Sequence, residues 1–85
     1  MKMRALLVGR REIQDQPMDY YLLAEECENL CENYGVEISC ASGEDVAVPG
    51  ITPSQNKITG LLALLLQHTV TPSALRDIVD DWLLQ

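Results

Sequence analysis

Apolar and polar positions change their period along this chain. Runs and alternation fill the part up to residue 50, and helical spacing takes over from residue 53. Met3 to Ile13 opens on an apolar run and ends in charge, which predicts a strand buried at its start and exposed at its end. The stretch from Gln14 to Met18, with Pro17, interrupts it. From Asp19 to Glu26 the chain resumes with Tyr20, Tyr21, Leu22 and Leu23, aromatic and strand-favouring, and a second strand is expected there. Residues 34–41 alternate most cleanly, with Tyr34, Val36, Ile38 and Cys40 on one face and Gly35, Glu37 and Ser39 on the other, the mark of a half-buried strand. Ser42-Gly43-Glu44-Asp45 is a turn cluster. Val46 to Val48 predicts a short fourth strand, ended by Pro49-Gly50.

Two similar phrases, Ile51-Thr52-Pro53-Ser54 and Val70-Thr71-Pro72-Ser73, then occur nineteen positions apart. Threonine at a cap accepts hydrogen bonds from the first free amides of a helix, and proline suits the first helical position because its missing N–H would lack an intrahelical partner. Each phrase therefore predicts a helix start, with Thr52 or Thr71 as cap and a cost on the order of 1 kcal/mol for losing either. Thr52 with Gln55 matches a capping box, while Val70 and Leu75 match a hydrophobic staple. Ile58, Leu61, Leu62, Leu65 and Leu66 form the apolar face of a helix over about 53–68, locally weakened by Gly60. Leu75, Ile78, Val79, Trp82 and Leu83 do the same over about 72–84.

Strands first and helices last predict an α+β fold: an antiparallel sheet of three to four strands, a β-meander, followed by an antiparallel pair of C-terminal helices packed on one face. The expected strands are 3–13, 19–26, 34–41 and 46–48, within a single domain spanning 1–85. The other face of the sheet is expected to be wet. Residues 25–33 fit either a hairpin loop or a short helix.

Composition narrows the function classes. With 85 residues, 47% of them hydrophobic but only one Trp, three Tyr and no Phe, the core has to be aliphatic and thin, and dimerisation is one way to extend it. Thirteen acidic against six basic side chains give a net charge of −7, which opposes binding to nucleic acid or to an anionic membrane. The charges are segregated: Lys2, Arg4, Arg10 and Arg11 precede ten acids in residues 12–45, a stretch without Lys or Arg. Such an acidic block is a solvated surface or, in the sharper alternative, a docking site for a basic partner. The start of the chain does not read as an export signal, and the leucine-rich run Leu61–Leu66 is far shorter than the ~20 residues of a membrane span. A soluble, cytoplasmic protein is expected, and the odd number of cysteines agrees with a reducing compartment.

Candidate chemistry is sparse. Cys27, Cys31, Cys40 and His68 supply the ligand types of a Cys3His zinc site, but their spacing lacks a second close pair and Cys40 is expected to face the core, so small apolar fillers or loop thiols are the simpler account of the cysteines. His68 lies at the end of the first predicted helix, where a cation suits the helix dipole. Asp77, Asp80 and Asp81 form an acidic patch that suits a basic partner; as a plain solvated face it would pair Arg76 with Asp80 and draw a cation from Arg4, Arg10 or Arg11 toward the helix end. Gly9-Arg10-Arg11 is too small a basic arm to outweigh the acids that follow it. Glycine-rich phosphate loops and Ser-His-Asp signatures are absent from the sequence, so neither a cofactor nor a catalytic constellation is expected.

Four segments read together resemble a known pattern: Tyr20-Tyr21-Leu22-Leu23, Tyr34-Gly35-Val36-Glu37-Ile38, Ile51-Thr52-Pro53-Ser54, and Val70-Thr71-Pro72 followed by Leu75-Arg76-Asp77-Ile78-Val79-Asp80-Asp81-Trp82-Leu83. They are similar to a family of short proteins of Gram-positive bacteria known only as a domain of unknown function. The resemblance implies the bacterial cytoplasm and no catalytic residues. The stretch from Glu25 to Asn33 departs from the pattern in its length and its cysteines.

The leading expectation is a small protein-interaction module, not an enzyme, that offers the open face or an edge of its sheet to an unidentified protein partner or to a second copy of itself. The alternative is a metal-binding or redox-sensing protein built on Cys27, Cys31 and Cys40. A small enzyme is the third.

Overall fold

The computed structural model of the chain describes residues 2–26 and 31–84. Its elements run β1 (Met3–Ile13), β2 (Gln16–Glu26), β3 (Glu32–Cys40), β4 (Asp45–Thr52), α1 (Gln55–Gln67) and α2 (Pro72–Leu83). The four strands form one antiparallel sheet in the order β1-β2-β3-β4, a meander, and the two C-terminal helices pack on it. This is an α+β fold. α1 crosses all four strands, whereas α2 lies over β3 and β4. Extents of 43 × 28 × 17 Å describe a slab whose thin dimension matches one sheet plus one layer of helix.

The core lies between the layers. Met18 and Tyr20 of β2, with Val36 and Ile38 of β3, meet Ile58, Leu61, Leu62 and Leu65 of α1 and Leu75 and Val79 of α2. Trp82 is packed against this cluster. The alternation in β3 is therefore read as expected: Val36 and Ile38 are buried, and Tyr34 and Cys40 lean on the core from the same face.

Two boundaries differ from expectation because two prolines do not break strands here. Pro17 is the second residue of β2, opposite Glu12, and its carbonyl accepts the Ala41 N–H at 3.1 Å. Proline is tolerated at the beginning of a strand, where one missing donor disturbs little of the ladder. Pro49 lies on edge strand β4, which continues through Pro49-Gly50 to Thr52 rather than ending at Val48. Opposite it, the register of β3 jumps between Tyr34 and Val36. A Cβ on Gly35 would stand 2.6 Å from the Pro49 Cα, so glycine is what lets β4 buckle across this strand. The start of α1 also moves. Ser54, not Thr52, is its cap and accepts the Lys57 N–H at 3.2 Å, while Thr52 Oγ1 accepts the Ser54 N–H at 3.1 Å in a local turn. The Thr52–Gln55 capping box is therefore not the start of this helix.

The start of α2 follows the sequence, with Thr71 as cap, Pro72 in the first turn, and Val70 and Leu75 both buried. Between the helices, the Thr69 N–H reaches the Leu66 carbonyl at 3.3 Å and the Val70 N–H reaches the Leu65 carbonyl at 3.0 Å. That pair of bonds is a Schellman closure, with Thr69 in the left-handed region at φ 49. Val70 and Leu65, both buried, are the apolar pair that such a closure brings together.

The largest correction concerns β1. Its apolar start was expected to be buried and is exposed instead, whereas Arg10, Arg11 and Glu12 at its charged end are exposed as expected. Met3, Leu6, Leu7 and Val8 are 53, 47, 58 and 46% exposed, while Ile13 packs against the core. Lengths explain the exposed start. Eleven-residue strands extend roughly 36 Å, but a thirteen-residue helix spans only about 20 Å. The helices cover the sheet near the β1–β2 turn and, on the β3–β4 side, as far as Tyr34 and Ile51, and leave the start of β1 bare. Gly9 marks the place where α1 descends, since a Cβ there would meet Leu66 Cδ2 at 2.9 Å.

Candidate interaction surface on the edge strand

The bare end of β1 is built by alternation and one bulge. Register places Arg4 against Ala24 and Leu6 against Leu22 on the helix side, with Met3 against Glu25, Ala5 against Leu23 and Leu7 against Tyr21 on the open side. Val8 is the bulged residue, and after it Gly9, Arg11 and Ile13 take over the helix side. Exposed apolar side chains therefore occur on both faces of one edge strand. The open face is also less wet than expected, because Leu23, between Ala5 and Gly35, is only 4% exposed.

The backbone of this strand is equally available. Glu26 N–H donates to the Lys2 carbonyl at 3.0 Å, which sets the phase of the β1–β2 ladder. Bonded and non-bonded pairs alternate in an antiparallel ladder, so the N–H and C=O groups of Met3, Ala5 and Leu7 point away from β2. Among the described residues no strand pairs with that outer side.

Charge frames the apolar run. Arg4 Nη2 lies 2.5 Å from Glu32 Oε1, and Tyr34 OH donates to the other oxygen of that carboxylate at 2.8 Å. This bridge spans Ala24, whose register partners are Arg4 and Tyr34, and closes the helix-side face beyond the reach of α1. At the other end Arg10 Nε lies 2.6 Å from Asp19 Oδ1 on the open face, and Asp19 raises the Arg10 pKa first through this hydrogen bond and then through its charge. Arg11 instead donates to the carbonyls of Leu66 and Arg10, at 3.2 and 3.0 Å. None of the three arginines serves the end of α2, contrary to expectation. Asp77, Asp80 and Asp81 are exposed there, and among the described residues no ion pair joins Arg76 to Asp80.

The cysteines do not converge. Cys31 is exposed just before β3 and Cys40 is half-buried at its far end, so nine positions of extended chain, about 30 Å, separate them. Cys27 lies outside the described residues. His68 is exposed at the end of α1, its backbone N–H bound to the Leu64 carbonyl at 3.1 Å. A surface groove of about 290 Å³ between β4 and α2 is lined by Ile51, Thr52, Lys57, Trp82 and Leu83. It adds no second titratable group beside Lys57.

What the sequence hid was the exposure of Met3 to Val8. The clue was present in the adjoining charges, since a strand whose basic residues sit at both ends of its apolar run has no polar end to turn toward water.

Fold and surface together define a class: a small acidic α+β protein, a four-stranded meander half-covered by two helices, with an apolar edge strand. The chain belongs to DUF6514, a family of unknown function, which it matches over residues 4–85. No curated protein and no solved structure matches it. Among the described residues no helix is long and apolar enough to cross a membrane.

Proposed function

We propose that this chain is a protein-interaction module, without catalytic activity of its own, that docks a protein partner along the outer edge of β1. The supporting observation is the run Met3, Leu6, Leu7 and Val8, about half exposed on a strand with an unpaired outer side. Edge strands are ordinarily blunted by charge, proline, bulges or cover, because they offer a template for another strand. Here the bulge with Arg10 and Arg11 protects the end from Val8 onward, and Arg4 is the one charge of the strand before it. Contiguous exposed apolar side chains of this kind mark interaction sites.

Ala5→Pro tests the proposal directly. The Ala5 N–H points outward, so proline there removes an edge donor and leaves the β1–β2 bonds in place. Affinity capture from the native cell should recover one or a few proteins at stoichiometric yield with the wild type and lose them with Ala5→Pro. Identical recoveries with both baits would refute docking at this edge.

A further inference from the structure

Granted docking at β1, the chemistry of its occupant is also legible. We infer that the partner contributes an extended segment that is apolar in the middle and acidic at both ends, added to the sheet as a fifth strand beside β1. Residues 2–11 hold four basic side chains and no acid, whereas residues 12–85 hold thirteen acids and two bases. Four of the six basic side chains of the molecule are thus gathered at one of the two edges of the sheet, that of β1.

Its placement along that strand is specific. Lys2 and Arg4 precede the apolar run and Arg10 follows it, with Leu6, Leu7 and Val8 between. The Arg4 and Arg10 side chains remain 54 and 65% exposed although each already holds a carboxylate. Arginine presents five donors, so both guanidiniums have N–H groups left for a second acceptor. Arg4 and Arg10 are six positions apart in sequence but, across the Val8 bulge, five paired positions along the sheet, roughly 17 Å, and they lie on opposite faces. An incoming regular strand would satisfy both ends with carboxylates about five residues apart, one on each face, while its central side chains cover Leu6 on one face and Met3 and Leu7 on the other. The outward N–H and C=O groups of Met3, Ala5 and Leu7 would supply the backbone bonds.

Charge disfavours a second copy in the same place. Two β1 edges meeting antiparallel would bring three arginines against three, with only Glu12 of each strand to offset them, within a Debye length of one another.

Fluorescence anisotropy with labelled peptides separates the outcomes. The probe is Glu-Val-Thr-Val-Thr-Glu, whose two carboxylates fall on opposite faces of a strand, and the control replaces both glutamates by lysine. The acidic peptide should bind wild type at least tenfold more tightly than the lysine peptide, lose most of that advantage in about 0.5 M salt, and fail to bind Ala5→Pro. Equal binding of the two peptides, or undiminished binding to Ala5→Pro, would overturn the inference. If neither peptide binds and light scattering shows a concentration-dependent dimer that Ala5→Pro abolishes, the edge is a docking site but its occupant is a second copy. If neither peptide binds and the wild type stays monomeric, docking at the edge falls along with the inference. The comparison of two peptides on wild-type protein does not depend on any variant folding.

Discussion

Tyr20 joins the two layers through one oxygen. Its ring is buried in the core, and its hydroxyl donates to the Val70 carbonyl at 2.7 Å, fixing the connection between the helices to the sheet. Burial raises its pKa above the ordinary 10.0, with the charge of Arg11 acting in the opposite sense. The folded protein therefore holds this proton more tightly than the unfolded chain does. Its contribution is complete below about pH 10 and is lost as the pH rises through the folded-state value. Tyr20→Phe should cost about 1 kcal/mol at neutral pH and flatten the alkaline fall in stability, as read from urea midpoints between pH 7 and 11. A residue of the opposite kind is Thr69. A β-branched side chain at φ 49 is strained in a closure that ordinarily uses glycine. Thr69→Gly should raise stability by about 1 kcal/mol in the same assay. An unchanged or lower midpoint would mean that the threonine makes a compensating contact.

At the scale of elements, caps distinguish two helix starts that look alike in sequence. Ser54 bonds the Lys57 N–H, whereas Thr71 makes no capping bond from its side chain and instead shares a hydrogen bond with Ser73 Oγ at 3.2 Å. Ser54→Ala should accordingly cost about 1 kcal/mol and Thr71→Ala only a few tenths. Equal losses from the two would contradict this assignment of the first cap to serine. The repeated Thr-Pro-Ser phrase located both helices but could not say which hydroxyl caps. That depends on the backbone leaving β4, where Thr52 is still strand and its hydroxyl is already committed to Ser54. Pro17 and Pro49-Gly50 misled in the same way. They read as breakers because local chemistry alone does not reveal whether a proline stands at the beginning of a strand or at a bulge on an edge.

For the molecule as a whole, stability rests on the helical layer, since among the described residues the sheet has no second layer on its open side. Leu75 and Val79 fill the space over β3 and β4. A chain ending at Val70 would expose Val36 and Ile38 to water, and it should lose its cooperative unfolding transition by circular dichroism. A cooperative transition at an unchanged midpoint would show that the sheet and α1 suffice. The same half-coverage makes the bare end of β1 accessible, so one length mismatch sets both the thin core and the surface assigned to a partner.

The sequence by itself determined the kinds and order of the elements, the full extent of β1, the buried face of β3 and the apolar faces of both helices. These follow from period, and period is a property of neighbouring residues. It could not determine which end of β1 lies under α1, that Leu23 is buried on the open face, or that Cys31 and Cys40 stand at opposite ends of one strand. Those facts depend on where a 20 Å helix lands on a 36 Å sheet, and that placement is decided by contacts between residues as distant as Gly9 and Leu66.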